Sequence, residues 1–181
     1  AVGGTVNIIT KDPTSNSFSV TTNLACYDSS SWEQSMGANV SLVSKDNSYG
    51  IAVYESYRNR NAYDHDGDGF SELGELDMNT FGLRTYYRPT TSSRLSLEYH
   101  TTAEKRRGGN KFDLQPHESD ITEQTHHTIN SGGIAYDLGW DGYRNKLSLY
   151  TSLQHIDRNS YYGAQRDPNA YGKTDDLTWV A

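Results

Sequence analysis

Residues 94–104 read RLSLEYHTTAE, which sets Leu95, Leu97, Tyr99 and Thr101 on one side of an extended chain and Ser96, Glu98, His100 and Thr102 on the other. Successive side chains of a strand point to opposite faces, so this stretch is a strand with one apolar and one polar face. Burying Glu98 and His100 in a dry core would be costly, so the polar face looks onto water. The same period of two recurs outward from here in both directions. Residues 18–27 alternate Phe18, Val20, Thr22, Leu24 and Cys26 with Ser19, Thr21, Asn23 and Ala25. Residues 32–44 set Trp32, Met36, Val40 and Leu42 against Glu33, Ser35, Asn39 and Ser41. Residues 49–61 form a further strand, and 78–88 place Phe81, Leu83, Thr85 and Tyr87 opposite Thr80, Gly82, Arg84 and Tyr86. Further strands follow at 128–138 and at 145–156, where Leu147, Leu149, Thr151 and Leu153 share a face, and Leu177 and Trp179 begin another. Residues 1–10, AVGGTVNIIT, read as a short buried-type strand ended by Lys11-Asp12-Pro13. The fold class is all-β.

The bulk composition fits. Only 34% of the 181 residues are hydrophobic and the mean hydropathy is −0.81, a poor supply for a closed soluble core. Fourteen tyrosines and 16 glycines against four prolines are strand-type usage. The net charge of −7 argues against a general nucleic-acid binder, which needs a basic face. Cys26 is the single cysteine, so no internal disulfide forms. No apolar run is long enough for a transmembrane helix, whereas a barrel carries its lipid face on alternate residues and tolerates this hydropathy. Both ends of the chain read as cuts within a longer protein.

Beyond the first strands, short polar connections at Lys45, Pro89 and Gly139 alternate with longer ones at Tyr63, Lys105 and Asp157. Short turns on one side and long loops on the other are the habit of outer-membrane barrels, and strand runs of about 9 to 13 residues suit a tilted crossing. A β-sandwich, or a soluble sheet with one solvated face, also alternates in this way. Tyr27, Tyr57, Tyr63, Tyr87 and Trp140 fall near strand ends, as aromatic girdles do and as ordinary strand packing also allows.

One connection carries a metal-ligand grammar. Residues 64–75, DHDGDGFSELGE, match the calcium loop D-x-[DN]-x-[DN]-G-x5-E at every position. The ligands implied are Asp64, Asp66, Asp68, the Phe70 carbonyl, Glu72 and Glu75, with Gly69 permitting the sharp turn. The flanks read as strands, so the loop caps a β-hairpin; a solvated acidic turn is the plainer reading of the same residues. Lys105, Arg106, Arg107 and Lys111 form the basic cluster, suited to an anionic ligand or to lipid phosphates, or to balancing nearby acids. His117 beside Glu118 is a further candidate for contact with a metal chelate. His126 and His127 face opposite ways on a strand and cannot share one ion. No G-x-S-x-G, H-E-x-x-H or comparable signature appears, so catalysis is not expected.

The opening stretch resembles the end of the plug domain of TonB-dependent outer-membrane receptors, whose last plug strand follows a glycine-rich turn with V/I-N-I-I-T-K. The matching residues are Gly3, Gly4, Val6, Asn7, Ile8, Ile9, Thr10 and Lys11. With YDHDGDGFSEL and RRGGNKFD in successive long loops, the pattern resembles Bacteroidetes-type receptors. The resemblance implies an antiparallel transmembrane barrel of about 22 strands around a plug. Residues 1–13 would then close the plug domain, and residues 14–181 would supply about eight of the barrel strands. It further implies active uptake, across a Gram-negative outer membrane, of a scarce metal chelate such as a siderophore, haem or cobalamin. The partners implied are the TonB energy-transducing system, the chelate, and outer-membrane lipid and lipopolysaccharide. Some cobalamin receptors of this family order their loops with calcium. A secreted soluble β-domain that binds carbohydrate or protein through a calcium-ordered loop is the alternative expectation.

Overall fold

The computed structural model describes residues 12–28, 31–142, 144–164 and 166–181. The expected plug strand within residues 1–10 lies outside the described residues, and of residues 1–13 only Asp12 and Pro13 fall inside them. The period-two segments form eight strands: β1 Ser17–Tyr27, β2 Ser31–Val43, β3 Tyr49–Arg60, β4 Glu75–Thr90, β5 Ser93–Gly109, β6 Thr122–Trp140, β7 Asn145–Gly163 and β8 Gly172–Val180. They build a single antiparallel sheet in the order β1-β2-β3-β4-β5-β6-β7-β8, each strand bonded only to its neighbours in sequence. The sheet is not closed, and β1 and β8 are its edges.

Register fixes the two faces. One row across the sheet runs Leu42, Ile51, Thr85, Leu97, Ile134, Thr151, and the adjacent row runs Ser41, Ala52, Arg84, Glu98, Gly133, Ser152. A one-residue slip would exchange these faces throughout a strand, so the consistent alternation specifies the pairing. The apolar face has no second layer over it. Leu95, Leu97, Leu147 and Leu149 are 42%, 39%, 43% and 57% exposed, and only Leu76, Tyr86 and Tyr161 among the described hydrophobic side chains are buried. Trp32, Trp140 and Trp179 all stand exposed on this same face. A sandwich would have sealed these residues, and none is present among the described residues.

The strands β4 to β7 are longer than the alternation suggested, at 16, 17, 19 and 19 residues. Segments expected to be loop, 105–109, 122–126 and 157–163, are strand. They carry no alternating apolar residues, Tyr161 and Tyr162 being adjacent, so hydrophobic periodicity vanishes there, yet each continues the hydrogen-bond ladder with its neighbour. The true long connections are 61–74, 110–121 and 164–171, all at one end of the sheet. At the other end, 44–48 and 91–92 are tight turns, and Arg144 N–H donates to the Asp141 carbonyl at 3.2 Å between β6 and β7. Pro89 cannot donate to the ladder, and the β4–β5 register shifts between Tyr87 and Thr90 where it sits.

Candidate metal centre and loop platform

Two of the long connections interlock above the strand ends. The acidic loop is pinched at its base by an antiparallel bridge between Tyr63 and Leu73, with Tyr63 N–H donating to the Leu73 carbonyl at 2.8 Å and Leu73 N–H to the Tyr63 carbonyl at 3.2 Å. Inside the pinch the carboxylates cap the backbone. Asp64 accepts from Gly67 N–H at 2.7 Å and from Gly69 N–H at 2.8 Å. Asp66 accepts from Asp68 N–H at 3.2 Å, Asp68 from Phe70 N–H at 2.8 Å and Glu72 from His65 N–H at 2.5 Å. Gly67 and Gly69 have φ of 76° and 90°, a region that side chains resist, which is why glycine occupies both positions.

The outcome is one group: carboxylate oxygens of Asp64, Asp66, Asp68 and Glu72 lie within 4.8 Å of one another. Four like charges this close repel, and five N–H donors compensate them only in part. All-oxygen, carboxylate-rich donors at this spacing are the set a hard divalent cation selects, so the residues fit calcium. Glu75 is not in the group. It opens β4 opposite Arg107, because the chain leaves the loop as a strand that advances by about 3.3 Å per residue instead of as a helix that would turn position twelve back inward. Phe70 is 37% exposed, at the seventh position. Burial, and then the carboxylates of Asp28, Glu72 and Asp64, raise the pKa of the Tyr63 hydroxyl above its ordinary value, so the phenol at the pinch stays neutral.

The loop is docked on its neighbour. Ser71 N–H donates to the Gly109 carbonyl at 2.9 Å and Gly109 N–H donates to Ser71 Oγ at 3.2 Å. Gly109 has φ of 113°, and a Cβ there would strike the Ile121 carbonyl. The neighbouring loop, 110–121, is built around Arg107, only 7% exposed. Its guanidinium donates to the carbonyls of Phe112 (3.2 Å), Leu114 (2.8 Å) and Lys111 (3.2 Å) and to Ser119 Oγ (2.9 Å). Asp120 closes the loop with Lys111 Nζ at 2.7 Å and Asn110 Nδ2 at 2.9 Å, and these two bonds, Lys111 first, hold its pKa below the usual carboxylate range.

The basic residues therefore do not form one patch. Arg106 and Arg107 are consecutive on β5 and face opposite ways: Arg106 is exposed and 3.4 Å from Glu104, whereas Arg107 is enclosed by its own loop. Lys111 is engaged by Asp120, and His117 lies half-buried in the 3-10 turn Pro116–Glu118. His126 and His127 are neighbours within β6 and so point to opposite faces. Asp12, in sequence only part of the Lys11-Asp12-Pro13 terminator, has a role that its local sequence does not signal. Its carboxylate meets three arginines on the polar face, Arg84, Arg88 and Arg94.

No family model, no curated protein and no solved structure matches the chain.

Proposed function

We propose that this chain forms part of the wall of an outer-membrane β-barrel receptor of the TonB-dependent kind, taking up a scarce metal chelate such as a siderophore, haem or cobalamin. The observation that carries the reading is the apolar face. Side chains that a water-soluble sheet would cover stand open along every strand, while the alternate residues carry Arg84, Glu98, His100 and Gln154. Lipid against one face and an aqueous interior against the other satisfies both at once. The open edges at β1 and β8 would be paired by further strands of a longer protein, since unpaired edges are a liability. The polar face receives Asp12, as a barrel wall receives its plug. Function here is capture and passage, with no bond made or broken. Calcium at Asp64, Asp66, Asp68 and Glu72 would stiffen the loop platform that meets the ligand.

Fractionation of the producing cell, with fluorescence in brominated lipid, tests this. The full-length protein should sediment with the outer membrane, and brominated chains should quench a tryptophan component that Trp32→Phe and Trp179→Phe remove. A protein freely soluble without detergent would overturn the proposal.

A further inference from the structure

Residues 12–16 cross the polar face at the short-turn end as a strap. Asn16 Oδ1 accepts from Val43 N–H at 2.7 Å, the Ser15 carbonyl accepts from Ser41 Oγ at 3.1 Å, and the Pro13 carbonyl accepts from the Tyr86 hydroxyl at 3.4 Å. These are single neutral bonds. The fourth tie is different in kind, because three arginines from β4 and β5 converge on the Asp12 carboxylate. Arg94 reaches both oxygens, Nη2 at 2.5 Å and Nε at 2.9 Å, Arg88 Nη2 lies at 3.2 Å and Arg84 Nε at 3.4 Å. Guanidinium forks recognise planar and tetrahedral oxyanions alike. Buried Arg84 Nε is not aligned to hydrogen-bond Asp12, so the group keeps an unused donor.

The surroundings leave the group cationic. Arg84 also leans on Glu98 at 3.6 Å and Arg94 on Asp137 at 3.5 Å, which Lys146 shares at 3.0 Å. Four cations thus face three carboxylates, and would face two if Asp12 withdrew. A cleft of 250 Å³ lined by Arg88, Ser92, Ser93, Arg94, Asp137 and Lys146 opens beside the group, wide enough for a small solute to arrive.

We propose that Arg84, Arg88 and Arg94 form an oxyanion-binding site, occupied by the Asp12 carboxylate in this state, for which a soluble oxyanion of the phosphate class competes with the strap. The tethered carboxylate holds the site through its high local concentration. Coupling is reciprocal: an anion in the site loosens the strap, and a seated strap weakens the anion.

Calorimetric titration of the full-length protein with inorganic phosphate tests it, on wild type, Asp12→Asn and Asp12→Asn with Arg94→Gln. Asp12→Asn should bind phosphate about tenfold or more tightly than wild type, the scale of one charged hydrogen bond, and Arg94→Gln should abolish the gain. In unmodified protein, phosphate should speed exchange of the Val43 amide relative to chloride at equal ionic strength. No gain in Asp12→Asn, a gain that survives Arg94→Gln, or unchanged Val43 exchange would each overturn the proposal.

Discussion

Replacing Arg107 with Met should release residues 110–121 while leaving the sheet intact. The wild-type guanidinium makes four hydrogen bonds within that loop and lies almost wholly out of solvent. Hydrogen bonds to charged groups are each worth roughly 1.5–3 kcal/mol, but they act as a unit and water replaces some of them once the loop opens. A local loss of about 3 kcal/mol is the reasonable figure, equivalent to roughly a hundredfold in the opening equilibrium. Hydrogen exchange followed by mass spectrometry on the full-length protein reads this directly, through peptides covering 110–121 against peptides from β2 and β3. Arg107→Lys should fall between, since an ammonium cannot match the four directions of the fork. Protection of 110–121 within about threefold of wild type in Arg107→Met would refute the assignment of Arg107 as the loop's organiser. Uniform loss across β1 to β3 would refute it too, by showing the residue to be a general stabiliser.

Calcium titration of the intact protein should show binding that Asp66→Ala with Asp68→Ala removes, and chelation should expose the acidic loop to protease; absence of binding in wild type counts against the site. Gly109→Ala should destabilise the loop platform by about 1–3 kcal/mol, through both its φ and the Ile121 carbonyl, read as a lowered midpoint in denaturant. Asp46, in the turn between β2 and β3, accepts from the hydroxyls of Ser44 and Ser48 and from Ser48 N–H, which bring its pKa from 3.8 down to about 2. Its folded value is depressed, so the stabilisation is complete above the unfolded value and fades as pH falls from about 4 through about 2. The Ser48 amide should lose protection in that window, and Asp46→Asn should make its protection, relative to the intrinsic exchange rate, insensitive to pH there.

The sheet was legible in the sequence wherever one face was apolar. Leu95, Leu97, Leu147 and Leu149 announced their strands because alternation is a direct record of which face meets which medium. It failed at 105–109, 122–126 and 157–163, where no apolar residues alternate and only the neighbouring ladder dictates extension. Asp64, Asp66, Asp68 and Glu72 were readable because their spacing and Gly69 are local, and Glu75 misled because the pattern presumes an exit helix. Arg107 read as a free cation, since nothing in RRGG reveals that the following loop folds back over it. Asp12 was invisible as a partner, for its arginines lie more than 70 residues downstream and converge only through register.

The excess height of the central strands has a consequence for how such a chain can change. At about 3.3 Å per residue, β7 runs to roughly 60 Å over its 19 residues. The leucines of its apolar face stop at Leu153, and His155, Asp157 and Asn159 continue the strand above them on that face. The tips thus ride on a stiff parapet, remote from the apolar rows below. Insertions or exchanges at 61–74 and 110–121 can therefore reshape the loop end without disturbing the apolar stretch of the sheet, so the two ends of these strands are free to evolve apart.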